Sequence, residues 1–159
     1  MAVEDRPDDH TLVMTHELSA PRALVFDAWT KAEHLCQWFA PDNFTCECDV
    51  DFKVGGALRI RMVGYGMDNT VRGVYREIVA PERLVLAMRF DDMPELEMIQ
   101  TITLSERGQG TLLTMRQELP AWSQIPASYH EALKFRWRGA SIGWGQTLQH
   151  LAEFVAKRR

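Results

Sequence analysis

The chain has 159 residues, 46% hydrophobic and 25% charged, with a formal net charge of -4 and a pI near 5.7. That suffices for one domain with its own apolar core, and the acidic balance argues against nucleic acid or an anionic membrane surface as a partner. No apolar run approaches the ~18 residues of a membrane span, MAVEDRPDDH lacks the basic-then-apolar order of a secretory signal, and three cysteines do not suggest a disulfide framework.

Residues 1–10 read as a flexible arm, with Pro7 among acidic neighbours, and 11–157 as a single domain. Thr11 to Leu18 suits a first strand. Ser19-Ala20-Pro21 then opens a helix, because proline fits a first helical turn. Leu24, Val25 and Ala28 follow at helical spacing, with Phe26 and Trp29 widening the stripe. Thr30-Lys31-Ala32-Glu33 has the form of a capping box and predicts a second short helix, carrying Leu35 and Trp38 and stopped near Pro41.

Strands follow. Cys46, Cys48, Val50 and Phe52 alternate with Glu47, Asp49 and Asp51, the pattern of a half-buried strand. Lys53 to Gly56 turns the chain into Leu58, Ile60 and Met62, which alternate with Arg59 and Arg61. Gly64 to Asn69 makes the next turn, before a strand over Val71 to Val79. Ala80-Pro81-Glu82 leads to Leu84, Leu86, Met88 and Phe90, then to an inner face of Met98, Gln100, Ile102 and Leu104. The loop at Arg107 to Gly110 precedes Leu113, Met115, Gln117 and Leu119. Connections this short require antiparallel pairing. From about Ser128 the chain reads as a helix, with Trp144, Leu148, Leu151 and Val155 on one face. Gly139, Gly143 and Gly145 inside it predict a kink or a close approach of the sheet.

This order resembles the START-like (SRPBCC) superfamily, and within it the branch of homologues of the activator of heat-shock protein ninety ATPase. The resemblance is carried by SAPRALVFDAWTKAEHLCQWFAP (19–41), Gly55-Gly56 before LRIRM, GVYREIVAPERL (73–84), GTLLTM (110–115) and Gly143-Trp144 with Leu148 and Leu151. It implies an α+β helix-grip fold: a curved antiparallel sheet of about six to seven strands wrapped on a long C-terminal helix, with two short helices after the first strand. It also implies a cavity between sheet and helix, since superfamily members bind lipids, sterols, polyketides or hormones, and a few are cyclases or hydrolases.

The alternation places Met62, Met88, Met98 and Met115 on the inner face, where flexible, polarizable side chains suit varied apolar shapes. Filling an irregular core is the alternative role. Gln100 and Gln117 stand in the same rows, and a buried amide needs a partner. With Tyr75 they would orient a carbonyl or hydroxyl on a guest. Trp38 and Phe39 precede a proline loop, where a portal would open, and Trp144 and Leu148 complete the lining from the last helix.

His34, Cys36, Cys46 and Cys48 raise the question of metal, but the one-residue spacing of Cys46 and Cys48 departs from zinc-site patterns. No phosphate loop, GxSxG or HExxH motif occurs. The expectation is a cytoplasmic protein, without metal or cofactor, that binds a small apolar molecule. Open alternatives are a cavity enzyme of cyclase or hydrolase type, or a co-chaperone-like protein that meets a heat-shock protein.

Overall fold

A computed structural model describes residues 10–158. The expected arm at 1–10 falls almost wholly outside them. The strands are β1 (Thr11–Leu18), β2 (Thr45–Val50), β3 (Ala57–Gly64), β4 (Met67–Val79), β5 (Arg83–Phe90), β6 (Met93–Arg107) and β7 (Gly110–Glu118); the helices are α1 (Arg22–Thr30), α2 (Ala32–Trp38) and α3 (His130–Ala156). All seven strands form one antiparallel sheet in the order β1-β7-β6-β5-β4-β3-β2. The fold is α+β: a curved sheet, two short helices after β1, and one long helix at the end.

The alternation decides which face is covered. Leu58, Ile60, Leu84, Leu86, Met88, Ile102, Leu113 and Met115 are all buried in one core with Leu12, Leu18, Leu148, Leu151 and Val155. Arg59 and Arg61 point the other way, where Arg59 meets Asp49 at 2.8 Å and Arg61 grips both oxygens of Asp68 at 2.9 and 2.7 Å. A one-residue slip would exchange these sets, so the register is strongly specified.

Several local readings change. Thr30 does not cap α2; it is the last residue of α1, and its buried hydroxyl donates to Phe26 O at 2.9 Å. That hydroxyl is occupied by the carbonyl four residues back, so Lys31 separates the two helices with no side-chain cap. The turn after β3 is only Tyr65-Gly66, both at positive φ (52° and 73°), which suits a tight two-residue hairpin. β6 starts at Met93, five residues before the expected inner face, because Asp91-Asp92 alone makes the preceding turn.

Before α3 the chain makes two single 3-10 turns, Trp122–Gln124 and Ala127–Tyr129. The helix then runs without interruption from His130 to Ala156. Its glycines do not mark a close approach of the sheet. A Cβ at Gly139 or Gly143 would have open space around it, and one at Gly145 would meet only Met14 Cε at 4.0 Å. Tight glycines lie elsewhere: a Cβ at Gly56 would come within 2.0 Å of Asp51 O, and one at Gly73, in the sheet, within 2.5 Å of Met88 Sδ, so Gly73 makes room for that side chain. The start of α3 is tied to the β5–β6 hairpin, where Arg136 pairs with Asp92 and covers the Phe90 ring, and Tyr129, just before the helix, donates to Glu95.

Candidate functional site

Three polar side chains of the inner face stand on a single transverse row. Tyr75 (β4) pairs with Leu86, Leu86 with Gln100, Gln100 with Gln117, and Gln117 with Leu12. Tyr75 occupies this row because the register of β4 against β5 shifts immediately after it, between Tyr75 and Glu77. The adjacent rows are apolar: Leu58, Gly73, Met88 and Met98 to one side, Leu84, Ile102, Met115 and Met14 to the other. Met88, Met98 and Met115 therefore bracket the polar row. Met62 does not join them; it lies two rows away, between Cys46 and Asn69, and is only part-buried.

The helices add two aromatic groups, both rooted in α1. Trp29 stacks on Trp144 at 6.4 Å and meets Trp38 edge-on at 4.7 Å, while Phe39 contacts Trp38 and Trp144 at 5.7 and 5.5 Å. Phe26, one turn earlier on the same helix, meets Phe52, and Phe52 meets the Tyr75 ring at 5.2 Å. Trp38 is 1% exposed and donates its indole N–H to Ala28 O at 2.9 Å, which fastens α2 to α1. Trp38 and Phe39 are thus both buried in this cluster.

The polar atoms divide sharply. Gln117 is engaged at both ends of its amide: Trp144 Nε1 donates to Oε1 at 3.0 Å, and Nε2 reaches Met98 Sδ at 3.3 Å. Leu148, one turn beyond Trp144 on α3, is fully buried beside this link. By contrast, the Tyr75 hydroxyl, the Trp29 indole N–H and the Trp137 indole N–H are buried with no hydrogen-bond partner among the described residues. Burial, and secondarily Cys48, pushes the Tyr75 phenol up to about 12. Tyr75 is therefore a neutral hydroxyl at physiological pH. Gln100, 4% exposed, sits between Leu86 and Gln117 in that row.

An open groove of about 700 Å³ lies outside this layer, between α2, the loop that follows it and the last turns of α3. His150 holds the loop against the helix, with Nδ1 2.9 Å from Ala40 O and Nε2 2.5 Å from Asp42 Oδ1. Cys36 and Cys46 form part of the groove wall. Cys46 and Cys48 are neighbours, Sγ to Sγ 3.7 Å, while His34 lies against Phe154 at 5.5 Å. Among the described residues, no group of three or more His, Cys, Asp or Glu side chains is placed to hold a metal ion.

Reading the sequence alone missed Trp29, Phe26 and Phe52 as partners of the inner row. The i, i+3 spacing of Phe26 and Trp29 on a short amphipathic helix was the available signal. It also missed His150 and Asp42, which no local pattern links. No helix of the described residues is long and apolar enough to cross a membrane.

The fold is shared with solved structures. Protein CV1439 from Chromobacterium violaceum is 32% identical, with 92% of this chain and 97% of that one covered at a TM-score of 0.79. Protein NE0264 from Nitrosomonas europaea is 25% identical over 94% and 96%, at 0.76. An AHSA1-like protein from Aeromonas hydrophila shares the fold at 18% identity, 93% of each chain and a TM-score of 0.67. A search of curated proteins gave no match. The family model described as "Activator of Hsp90 ATPase homolog 1-like protein" matches residues 19–156. With most of its length matched by that model, the chain belongs to the Activator of Hsp90 ATPase homolog 1-like family.

Proposed function

We propose that this protein binds a small, largely apolar molecule that carries a hydrogen-bond acceptor, held between the inner face of the sheet and α3. One observation carries the reading: the Tyr75 hydroxyl and the Trp29 N–H are buried donors with no acceptor among the described residues, in largely apolar surroundings rich in aromatic rings. A buried donor left unsatisfied costs on the order of 1–3 kcal/mol, and a guest carbonyl or ether oxygen removes that cost. Trp38, Phe39, Met88, Met98, Met115, Trp144 and Leu148 supply apolar contact. Gln100 is a further polar contact, and Gln117 acts indirectly, by fixing Trp144. Met62 stands at the margin. No residue is assigned a catalytic role, and the protein is read as an intracellular carrier or sensor rather than an enzyme.

The test compares two guests of one shape, 2-acetylnaphthalene and 2-isopropenylnaphthalene, by fluorescence titration and melting temperature. The ketone should bind about tenfold more tightly, the equivalent of one net hydrogen bond. Tyr75→Phe should narrow that ratio while leaving the hydrocarbon unchanged. Equal binding of the two guests, or no binding of either, overturns the proposal.

The family description favours a second reading, action on a heat-shock ATPase. Adding the purified chain to an Hsp90-class ATPase tests it. An unchanged turnover rate together with no complex in sedimentation would remove it.

A further inference from the structure

The three cysteines lie in one region, where α2 packs on the edge strand, and two of them, Cys46 and Cys48, are in direct contact. Cys46 and Cys48 project from the same side of β2, with their sulfurs 3.7 Å apart. β2 is the last strand of the sheet, so one side of it has no strand neighbour. All three thiols are part-exposed, and Cys36 and Cys46 open into the groove. Hydrogen bonding to Cys46 and burial push the Cys48 thiol up, with Cys36 adding to it, whereas the Cys48 contact lowers Cys46. The pair thus has one thiol readier to react and one held protonated beside it.

The sulfur spacing selects the chemistry. A disulfide is about 2.05 Å long and wants β-carbons about 3.8 Å apart. Two side chains on the same face of an extended strand stand further apart than that, a strand rising about 3.3 Å per residue. Two sulfurs bound to one soft atom at about 2.3 Å sit roughly 3.4–3.8 Å apart, for bond angles from about 95° to tetrahedral. The observed 3.7 Å is a thiol–thiol hydrogen-bond contact, and it is also a separation that one bridging atom can span without moving the strand. A zinc ion would call for four ligands, and no larger donor group is assembled here among the described residues. A centre satisfied by two thiolates fits.

We propose that Cys46 and Cys48 form a dithiol site for a trivalent arsenical, reached through the groove between α2 and α3. In the reaction with an arsine oxide, R–As=O, each thiol gives its proton to the oxygen, which leaves as water. Two As–S bonds form, and no electrons are transferred. The proposal does not rest on the apolar guest: the thiols lie on the edge strand, with Cys48 near enough to Tyr75 to help raise its phenol, and the polar row runs from β4 to β1.

Phenylarsine oxide added to the reduced full-length protein, followed by intact-mass measurement, tests the assignment. The expected product is one adduct per chain at the mass of the reagent less water, stable to excess glutathione and removed by 2,3-dimercaptopropanol. Cys46→Ser and Cys48→Ser should each abolish the glutathione-resistant adduct and weaken binding at least tenfold. Cys36→Ser should retain it. If either serine variant fails to fold by circular dichroism, the alanine variant at the same position gives the same reading. An adduct that survives loss of Cys46 or Cys48, one that disappears with Cys36, or no resistant adduct at all overturns the proposal.

Discussion

Trp144 and Gln117 join the long helix to the sheet: the indole N–H of the one donates to the amide oxygen of the other at 3.0 Å. The same amide reaches Met98 across the β6–β7 pair, so helix, β7 and β6 are connected through one side chain. Gln117→Leu keeps the volume but removes both contacts, and leaves the Trp144 N–H without its acceptor. A loss of about 1–3 kcal/mol is expected in denaturant unfolding. Trp144→Phe with Gln117→Leu should restore part of it, because neither partner then remains unpaired; a double mutant as weak as the sum of the singles would contradict the link.

Position within the inner rows should decide the cost of truncating each methionine. Met115 is 0% exposed between Ile102 and Met14, so Met115→Ala should cost about 2–5 kcal/mol. Met62 is part-buried at the sheet margin, and Met62→Ala should cost about 1 kcal/mol or less. Urea melts of both variants check this, and comparable losses would mean that the Met62 row is as well packed as the centre.

Tyr75 makes an alkaline prediction. Its folded value is raised to about 12 by burial against an ordinary value of 10.0, so the folded chain holds this proton more tightly than the unfolded chain. Stability from this group is therefore complete below about pH 10 and is lost as pH rises from 10 toward 12, by up to about 2–3 kcal/mol. Tyr75→Phe should flatten that limb of the stability profile relative to the parent. A profile unchanged by the substitution would place the alkaline loss elsewhere.

The acid side rests in part on the β5–β6 turn. Arg136 holds the Asp92 carboxyl below its ordinary value, and the Tyr129 hydroxyl does the same for Glu95. Groups lowered in the folded state contribute above their ordinary range and lose that contribution as pH falls through about 4. Hydrogen-exchange protection, relative to the unfolded chain at the same pH, should fall at Phe90 to Leu96 below that pH before it falls in β7, and Arg136→Ala should produce the same loss of protection at pH 7.

His150→Ala would release the loop at Ala40 to Asn43 from α3, since both ring nitrogens lie within hydrogen-bond distance of oxygens in that loop. Cys36 and Cys46 should then label faster with a monothiol-specific maleimide, by several fold, while the melting temperature shifts by only a few degrees. An unchanged labelling rate would show that the loop is held by its packing alone.

The strand register was legible because side chains alternate with period two and charges mark the wet face: Arg59 and Arg61 against Leu58, Ile60 and Met62. Helix boundaries were less so. Thr30 and Glu33 have the spacing of a cap, yet the same hydroxyl can bond four residues back, and local sequence does not distinguish the two. The polar row was half visible: Gln100 and Gln117 stand out in apolar strands, but their alignment with Tyr75 depends on a register shift beside Tyr75. The Trp144–Gln117 bond and the His150–Asp42 bridge join residues 27 and 108 positions apart, distances over which periodicity carries no information.

Five short connections join β2 to β7 in sequence, so these six strands can assemble by adding one neighbour at a time. β1 is different. Its partner β7 lies roughly a hundred residues away along the chain, from Leu18 opposite Thr111 to Thr11 opposite Glu118. Closing so long a loop carries an entropy cost that no local contact offsets beforehand. α3 packs on β1 as well as on α1 and α2. β1 is thus expected to be seated after β2 to β7 have paired, with α3 closing over the β1–β7 seam.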